Sequence, residues 1–278
     1  MELRAANSEI CTFSQQYRRK PNEDGGTSHH TRVNSETRIN TGRFDMNIQG
    51  LQKMTLLDFP EHVACTVFLG GCDFRCQFCH NYELVEGVMP AVMAEAEFFD
   101  FLDKRHGLLD GVAITGGEPC LRHDLPDFIK KINDAGYPVK LDTNGNHPEI
   151  LKKLLDEKLV AYVAMDIKNS PSKYARTIGL AEDFDLSKVN ESIQLLINSD
   201  IDYEFRTTVI SQYHDENDFK EIGEWIGGAK DYFLQAFTDR DAVPDHALTA
   251  PTSEDMIEYR DTVAPYVKRA AVRGVDVD

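Results

Sequence analysis

With 278 residues, 41% of them hydrophobic, the chain is long enough to bury a sizeable core, either as one α/β domain of barrel type or as two small domains. A formal net charge of −17 argues against a surface that seeks phosphate backbones, because nucleic-acid binders carry basic stripes. There is no apolar run of about 18 residues and no apolar leader with a small-residue cleavage site, so neither a membrane nor secretion is indicated and a cytoplasmic protein is expected.

Residues 1–45 are poor in aliphatics and rich in Ser, Thr, Asn, Arg and His, and "RRKPNEDGGTSHHTRVNSETR" has neither a helical nor a strand period. This composition predicts a disordered N-terminal extension. It carries 7 Lys/Arg against 6 Asp/Glu, which leaves 23 against 41 for residues 46–278, so the acidity belongs to the expected folded domain. From Met46 onward, β-rich runs alternate with amphipathic stretches. Strands are predicted at 62–69, 111–115, 137–143, 160–167, 202–210 and 231–237. Helices are predicted at 91–104, 124–135, 148–158, 187–199, 216–227 and 253–267. Asp124 before "LPDFIKKI", Pro126 near the first turn and Gly136 after the last periodic residue are capping signals for the second of these helices. Six β/α units in series imply a parallel sheet with right-handed crossovers, hence a curved, partly open (β/α)6 barrel with its function at the C-terminal strand ends.

Six cysteines are present, and in a reducing compartment cysteines are more often ligands or nucleophiles than disulfides. Cys11, Cys65 and Cys120 stand alone, and Cys65, inside an apolar run, reads as a small buried hydrophobe. Cys72, Cys76 and Cys79 lie together in "GGCDFRCQFCHN", spaced C-x3-C-x2-C directly after the first strand, where Gly70 and Gly71 let the backbone fold tightly. A structural zinc site would need His80 or a remote cysteine as a fourth ligand, and an electron-transfer cluster would need a fourth cysteine at a defined spacing. Neither completion is evident. Three thiolates on a four-iron cluster leave one iron without a protein ligand, and an open metal position is what catalysis requires.

Three further motifs end later strands: "TGGEP" from Thr115, "LDTNG" from Leu141 and "MDIK" from Met165. Taken singly they read as an ordinary turn, an Asx turn and a surface ion pair of little worth. Taken together they set Glu118, Asp142, Asp166 and Lys168 at adjacent strand ends around one mouth.

The cysteine motif, with the aromatic Phe78 before its third cysteine, resembles the radical S-adenosylmethionine superfamily. The likeness runs from about Asn47 to the final strand and is strongest to glycyl-radical enzyme activating enzymes, in particular those of anaerobic ribonucleoside-triphosphate reductase. It is carried by "QGLQKMTLLDFPEHVACTVFLGGCDFRCQFCHN", "GLLDGVAITGGEP", "VKLDTNG", "YVAMDIK", "DYEFRTTV" and "YFLQAF". The resemblance implies a partial (β/α)6 barrel of radical SAM type, a [4Fe-4S] cluster on Cys72, Cys76 and Cys79, and S-adenosylmethionine as second cofactor. It further implies that Phe78, Gly116, Gly117, Glu118, Asp142, Thr143, Asp166 and Lys168 bind the cofactor, whose zwitterionic methionyl group suits a mouth of mixed charge. Arg206, at the end of "DYEFR", reads either as a structural ion pair or as a grip on the backbone carbonyls of an inserted glycine loop.

The implied partners are a glycyl-radical enzyme, the anaerobic ribonucleotide reductase, and an electron donor such as flavodoxin or ferredoxin. A radical enzyme acting on a small molecule, similar to 7-carboxy-7-deazaguanine synthase, is the alternative, and a non-catalytic iron–sulfur electron carrier is a third reading. Three departures from the activase pattern stand out: Glu61 where a glycine usually follows Pro60, Cys120 after "GGEP", and Thr238 after "LQAF" where some activases place a histidine.

Overall fold

The computed structural model describes residues 46–275, so the expected extension at 1–45, with Cys11, lies outside the described residues. The elements in chain order are β1 (Asn47–Ile48), β2 (Gly50–Thr55), β3 (Ala64–Leu69), β4 (Met93–Ala94), α1 (Glu95–Lys104), β5 (Gly111–Gly116), α2 (Leu125–Asp134), β6 (Val139–Thr143) and α3 (Pro148–Asp156). There follow β7 (Tyr162–Asp166), α4 (Tyr174–Thr177), α5 (Ser187–Ile197), β8 (Asp202–Val209), α6 (Glu216–Trp225), β9 (Asp231–Ala236), α7 (Ser253–Val263) and β10 (Arg269–Arg273). All six expected strands form, with ends that differ from the expectation by at most two residues: five are shorter and β5 runs one residue longer, to Gly116.

Eight strands make one sheet in the order β10-β9-β8-β7-β6-β5-β3-β2. Every pairing in it is parallel except that of β2, which runs antiparallel to β3. Neighbours in sequence are neighbours in space, so each helix crosses on the same side and the sheet curls into an open barrel of the expected kind. The inner strands are apolar on both faces, as Val112, Ala113 and Ile114 or Val163, Ala164 and Met165 show by their burial. On α2, Leu125, Phe128, Ile129 and Ile132 form one buried stripe at helical spacing.

Several local expectations are corrected. Asp124 stands at the start of α2 but does not cap it; its carboxylate accepts two hydrogen bonds from Arg122, at 3.0 and 2.8 Å. The last helix stops at Val263 and not at 267, because Pro265 follows and cannot continue the ladder. Strands β2 and β10 were not expected. Both lie at sheet edges, where polar residues are tolerated and the apolar signal is weak.

Cys65 is fully buried, as expected. Glu61 adopts φ 64°, the left-handed region that favours glycine, so the departure at this turn places a strained residue where glycine would fit freely. Among the described residues no helix is long and apolar enough to cross a membrane.

Candidate active site

The cysteine loop leaves β3 through Gly70, whose N–H donates to Gln49 Oε1 at 2.9 Å, and Gly71, at φ 94°. It then doubles back on itself: Gly71 N donates to the Leu84 carbonyl and Cys72 N to that of Val85, at 2.8 and 2.9 Å. Phe74 and Phe78 anchor the loop from below. Phe74 packs edge-on against Tyr174 and Phe184, and Phe78, 4% exposed, lies against Tyr213. Arg75 Nη1 ties the loop's own carbonyls, donating to Cys72 O at 2.7 Å and Phe74 O at 2.8 Å. Burial pushes the thiols of Cys72 and Cys76 up to about 12, and that of Cys79 upward as well. Metal binding reverses this, because a coordinating thiol is deprotonated outright.

"TGGEP" follows β5, and its glycines answer to packing. A Cβ on Gly116 would stand 2.1 Å from the Leu69 carbonyl oxygen, and one on Gly117 would stand 2.0 Å from that of Gly71. Only glycine lets this loop lie on the cysteine loop. Glu118 then donates its N–H to Gly71 O at 2.7 Å. Its carboxylate, 1% exposed, accepts from Cys120 N, Thr143 Oγ1 and Asn144 N at 2.9, 2.7 and 2.6 Å. Burial raises its pKa to about 7, with those three donors restraining the rise. The Glu118 side chain and the Thr143 hydroxyl are therefore committed to holding loops together. Cys120 is buried beneath it, at 1% exposure.

Beside this lies a cluster of charge. The register of β7 and β8 pairs Asp166 with Arg206. Arg206 Nε donates to Asp166 Oδ1 at 3.0 Å, and its Nη1 lies 3.5 Å from Asp142 Oδ2. Lys168 Nζ donates to Asp166 Oδ2 at 2.9 Å, and Lys140 Nζ to Asp142 Oδ1 at 2.5 Å. Burial alone would raise the Asp166 pKa, but Arg206 and Lys168 more than offset it and hold it at about 2. Burial alone would lower Lys168 and Arg206, and the facing carboxylates raise both. Lys168 also lies within electrostatic reach of Cys76 and Cys79, which joins the charge cluster to the cysteine loop.

The structure thus brings the sequence-predicted residues to one end of the barrel. Sequence reasoning missed Lys140, Asp73, Asn144 and His147. A lysine in the apolar run "VKLDT", two positions from Asp142 and so on the same strand face, was a legible signal for the first. The others carried none. His80, which the motif left open as a possible ligand, instead makes a 2.7 Å hydrogen bond from Nε2 to the Thr238 carbonyl and stacks on Phe237.

Among the described residues, no three His, Cys, Asp or Glu side chains converge as ligands of a single ion. The donor set suits an iron–sulfur cluster, in which each cysteine takes a different iron.

Comparisons with known proteins agree. The family model described as the Radical SAM superfamily matches residues 66–226, more than half of the chain. A "Putative glycyl-radical enzyme activating enzyme" of Methanocaldococcus jannaschii is 29% identical over 236 residues, covering 82% of this chain and 96% of that protein. The "Pyruvate formate-lyase-activating enzyme" of Listeria monocytogenes is 31% identical over 145 residues, 46% of this chain and 56% of that protein. Among solved structures, Streptococcus suis SuiB bound to the precursor peptide SuiA superposes with a TM-score of 0.60 at 12% identity, over 78% of this chain and 49% of SuiB, a likeness of fold. The chain belongs to the radical S-adenosylmethionine superfamily, whose enzymes work with a [4Fe-4S] cluster and S-adenosylmethionine.

Proposed function

We propose that this enzyme is an activase: it cleaves S-adenosylmethionine reductively and generates a glycyl radical on a partner enzyme, the anaerobic ribonucleoside-triphosphate reductase. The observation that carries this reading is the match along 96% of the length of the archaeal relative named as an activating enzyme. The geometry of the mouth fits it. Cys72, Cys76 and Cys79 would each hold one iron, leaving the fourth open for the methionyl amino and carboxylate groups.

When bound, the cluster supplies one electron to S-adenosylmethionine, whose C–S bond breaks to give methionine and a 5′-deoxyadenosyl radical. The chain's own residues bind and orient. The main chain of Gly116, Gly117 and Glu118 would meet the methionyl amino group, since the Glu118 carboxylate already accepts three hydrogen bonds. Lys168 would meet the carboxylate, with Asp142 and Asp166 setting its position and charge and Thr143 fixing the loop between them. Phe78 would steady the cysteine loop for the cluster through its packing on Tyr213. Arg206 keeps Asp166 and Asp142 in place and would turn its remaining donors to the carbonyls of an inserted glycine segment. Glycine suits radical storage because it has no side chain to block approach of the abstracting group.

The electron would come from flavodoxin or ferredoxin in the cytoplasm. The division proposed here is at Met46, with the catalytic domain in 46–278, and a chain starting at Met46 should cleave S-adenosylmethionine at the full-length rate; loss of cleavage in that chain would refute this division.

The test is electron paramagnetic resonance on a mixture of this protein, a reductant, S-adenosylmethionine and the anaerobic reductase. A glycyl doublet should appear on the reductase, and deuterium at its glycine Cα should pass into 5′-deoxyadenosine. Absence of the doublet, with label instead leaving a small molecule that stimulates cleavage, would replace this reading by the small-molecule alternative.

A further inference from the structure

Asp73 follows the first cluster cysteine directly. It faces the loop after β6, some seventy residues further along the chain. Its Oδ1 accepts from Asn144 Nδ2 at 2.9 Å, and its Oδ2 accepts from Asn146 Nδ2 at 2.5 Å and lies 3.1 Å from His147 Nε2. Three polar side chains thus converge on this one carboxylate. The same Asn144 amide nitrogen stands 3.9 Å from Cys72 Sγ, and Phe74 N donates to that sulfur at 3.4 Å. Asp73 Oδ1 is itself 4.0 Å from the sulfur.

These contacts close a ring. Glu118 N holds Gly71 O at 2.7 Å, the Glu118 carboxylate holds Asn144 N at 2.6 Å, and the Asn144 side chain holds Asp73 at 2.9 Å. The chain itself completes the circle from Asp73 through Cys72 to Gly71. Loops from β3, β5 and β6 are thereby fastened around a single cysteine. Among the described residues, Cys76 and Cys79 have no such collar of side chains.

We propose that Asp73 and Asn144 are positioning residues that fix the Cys72 sulfur and set the reduction potential of the cluster it holds. The potential of an iron–sulfur cluster depends on nearby charge and on hydrogen bonds to its sulfurs. The Asn144 N–H directed at Cys72 favours the electron that the reduced cluster gains. The Asp73 carboxylate, whose Oδ1 lies at nearly the same distance from that sulfur, 4.0 Å, opposes it. His147 and Asn146 hold that carboxylate against the Asn144 amide, so the two influences stay in fixed proportion. This inference rests on the cluster and not on the partner enzyme, and its test contains neither partner nor S-adenosylmethionine.

The full chain is reconstituted anaerobically, iron and sulfide are counted, and dithionite is titrated through mediators while paramagnetic resonance follows the one-electron-reduced cluster. In Asp73→Asn the ratio of reduced to oxidised cluster at a fixed potential should rise by up to roughly tenfold, equivalent to ~59 mV for one electron. In Asn144→Ala the midpoint should move the other way. Opposite signs mark electrostatic tuning, because general loosening of the loop would move both variants together. Unchanged potentials in both variants, or shifts of the same sign, overturn the proposal. If Asp73→Asn fails to hold a full cluster, Asn144→Ala decides alone: a lower potential supports the proposal and a wild-type potential rejects it.

Discussion

Glu204 and Arg206 stand two positions apart on β8 and face the same side of the sheet, yet their surroundings differ in kind. Glu204, deeper in the barrel, accepts both Nη atoms of Arg273 at 2.8 and 2.9 Å and the Tyr162 hydroxyl at 2.9 Å, and its side chain is 3% exposed. That is a filled, bidentate arrangement with nothing left to offer a ligand. Arg206, at the mouth, makes one contact of 3.0 Å to Asp166 and a longer one of 3.5 Å to Asp142. Those two carboxylates also serve Lys140 and Lys168, so three cations share two anions. The same strand therefore builds a floor whose charges are matched and a mouth where the cations outnumber the carboxylates they share. Buried ion pairs as such say little about function; whether their partners are saturated says more.

The contrast implies that substitutions at the mouth remove function and spare the fold, while those at the floor do the reverse. The largest effect is expected for Cys76→Ala. Two thiolates are too few to hold the cluster, so iron and sulfide content should collapse while the chain stays folded. A full complement of iron in this variant would break the assignment.

At the floor, Glu204→Gln leaves Arg273 without its counter-charge and should cost about 2 kcal/mol in stability, a figure reduced because Arg273 can turn to water. Denaturation midpoints at an unchanged m-value would show it, with the rate of S-adenosylmethionine cleavage preserved at low temperature. Lost cleavage with wild-type stability would mean that the floor is part of the site.

Lys168→Ala returns to the mouth. Reductive cleavage should slow roughly tenfold or more, corresponding to about 1.4 kcal/mol of transition-state stabilisation, with cluster content unchanged and stability altered by less than about 1 kcal/mol. Wild-type cleavage rates would reduce the pair with Asp166 to decoration of a strand end.

The acid limb of stability sharpens the comparison further. Asp166 titrates at about 2 in the folded chain, below the ~3.9 of an unfolded aspartate. Its ionised form thus stabilises the fold at neutral pH, and that contribution is lost as the pH falls from ~4 through about 2. Asp166→Asn should flatten this part of the stability profile, and an unaltered acid limb would show that the pairing with Arg206 and Lys168 adds nothing to stability.

The smallest effect lies at the floor-side turn. Glu61→Gly should relieve the left-handed strain and stabilise by up to about 1 kcal/mol, less the entropy that glycine adds to the unfolded chain. A destabilised variant would show that the Glu61 side chain makes up for its backbone.

Strand ends were the most legible feature of this chain, because apolar β-runs, glycine-rich turns and helix periods are local patterns. The cysteine loop after β3, the glycines of "TGGEP" and the positions of Asp142, Asp166 and Lys168 at successive strand ends follow from that alone. The edge strands β2 and β10 escaped because an edge strand need bury only one face and can be polar. Asp124 looked like a cap and became an Arg122 partner, since two carboxylate acceptors suit a guanidinium two residues away as well as they suit helix N–H groups.

What the sequence by itself determined is the order of β/α units, the three-cysteine loop and the end of the barrel where chemistry-bearing residues gather. Which charge meets which was decided only in the tertiary structure. Arg206 could have paired with any of the many carboxylates, and the register of β8 against β7 selects Asp166. Asp73 carries no local signal, and it gains its meaning because Gly116 and Gly117 allow their loop to sit against the cysteine loop and Glu118 draws the β6 loop to the same place. Short-range sterics write strands and turns into the sequence. Hydrogen-bond and ion-pair partners far apart in the chain depend instead on register and loop contact, which exist only once the sheet has closed.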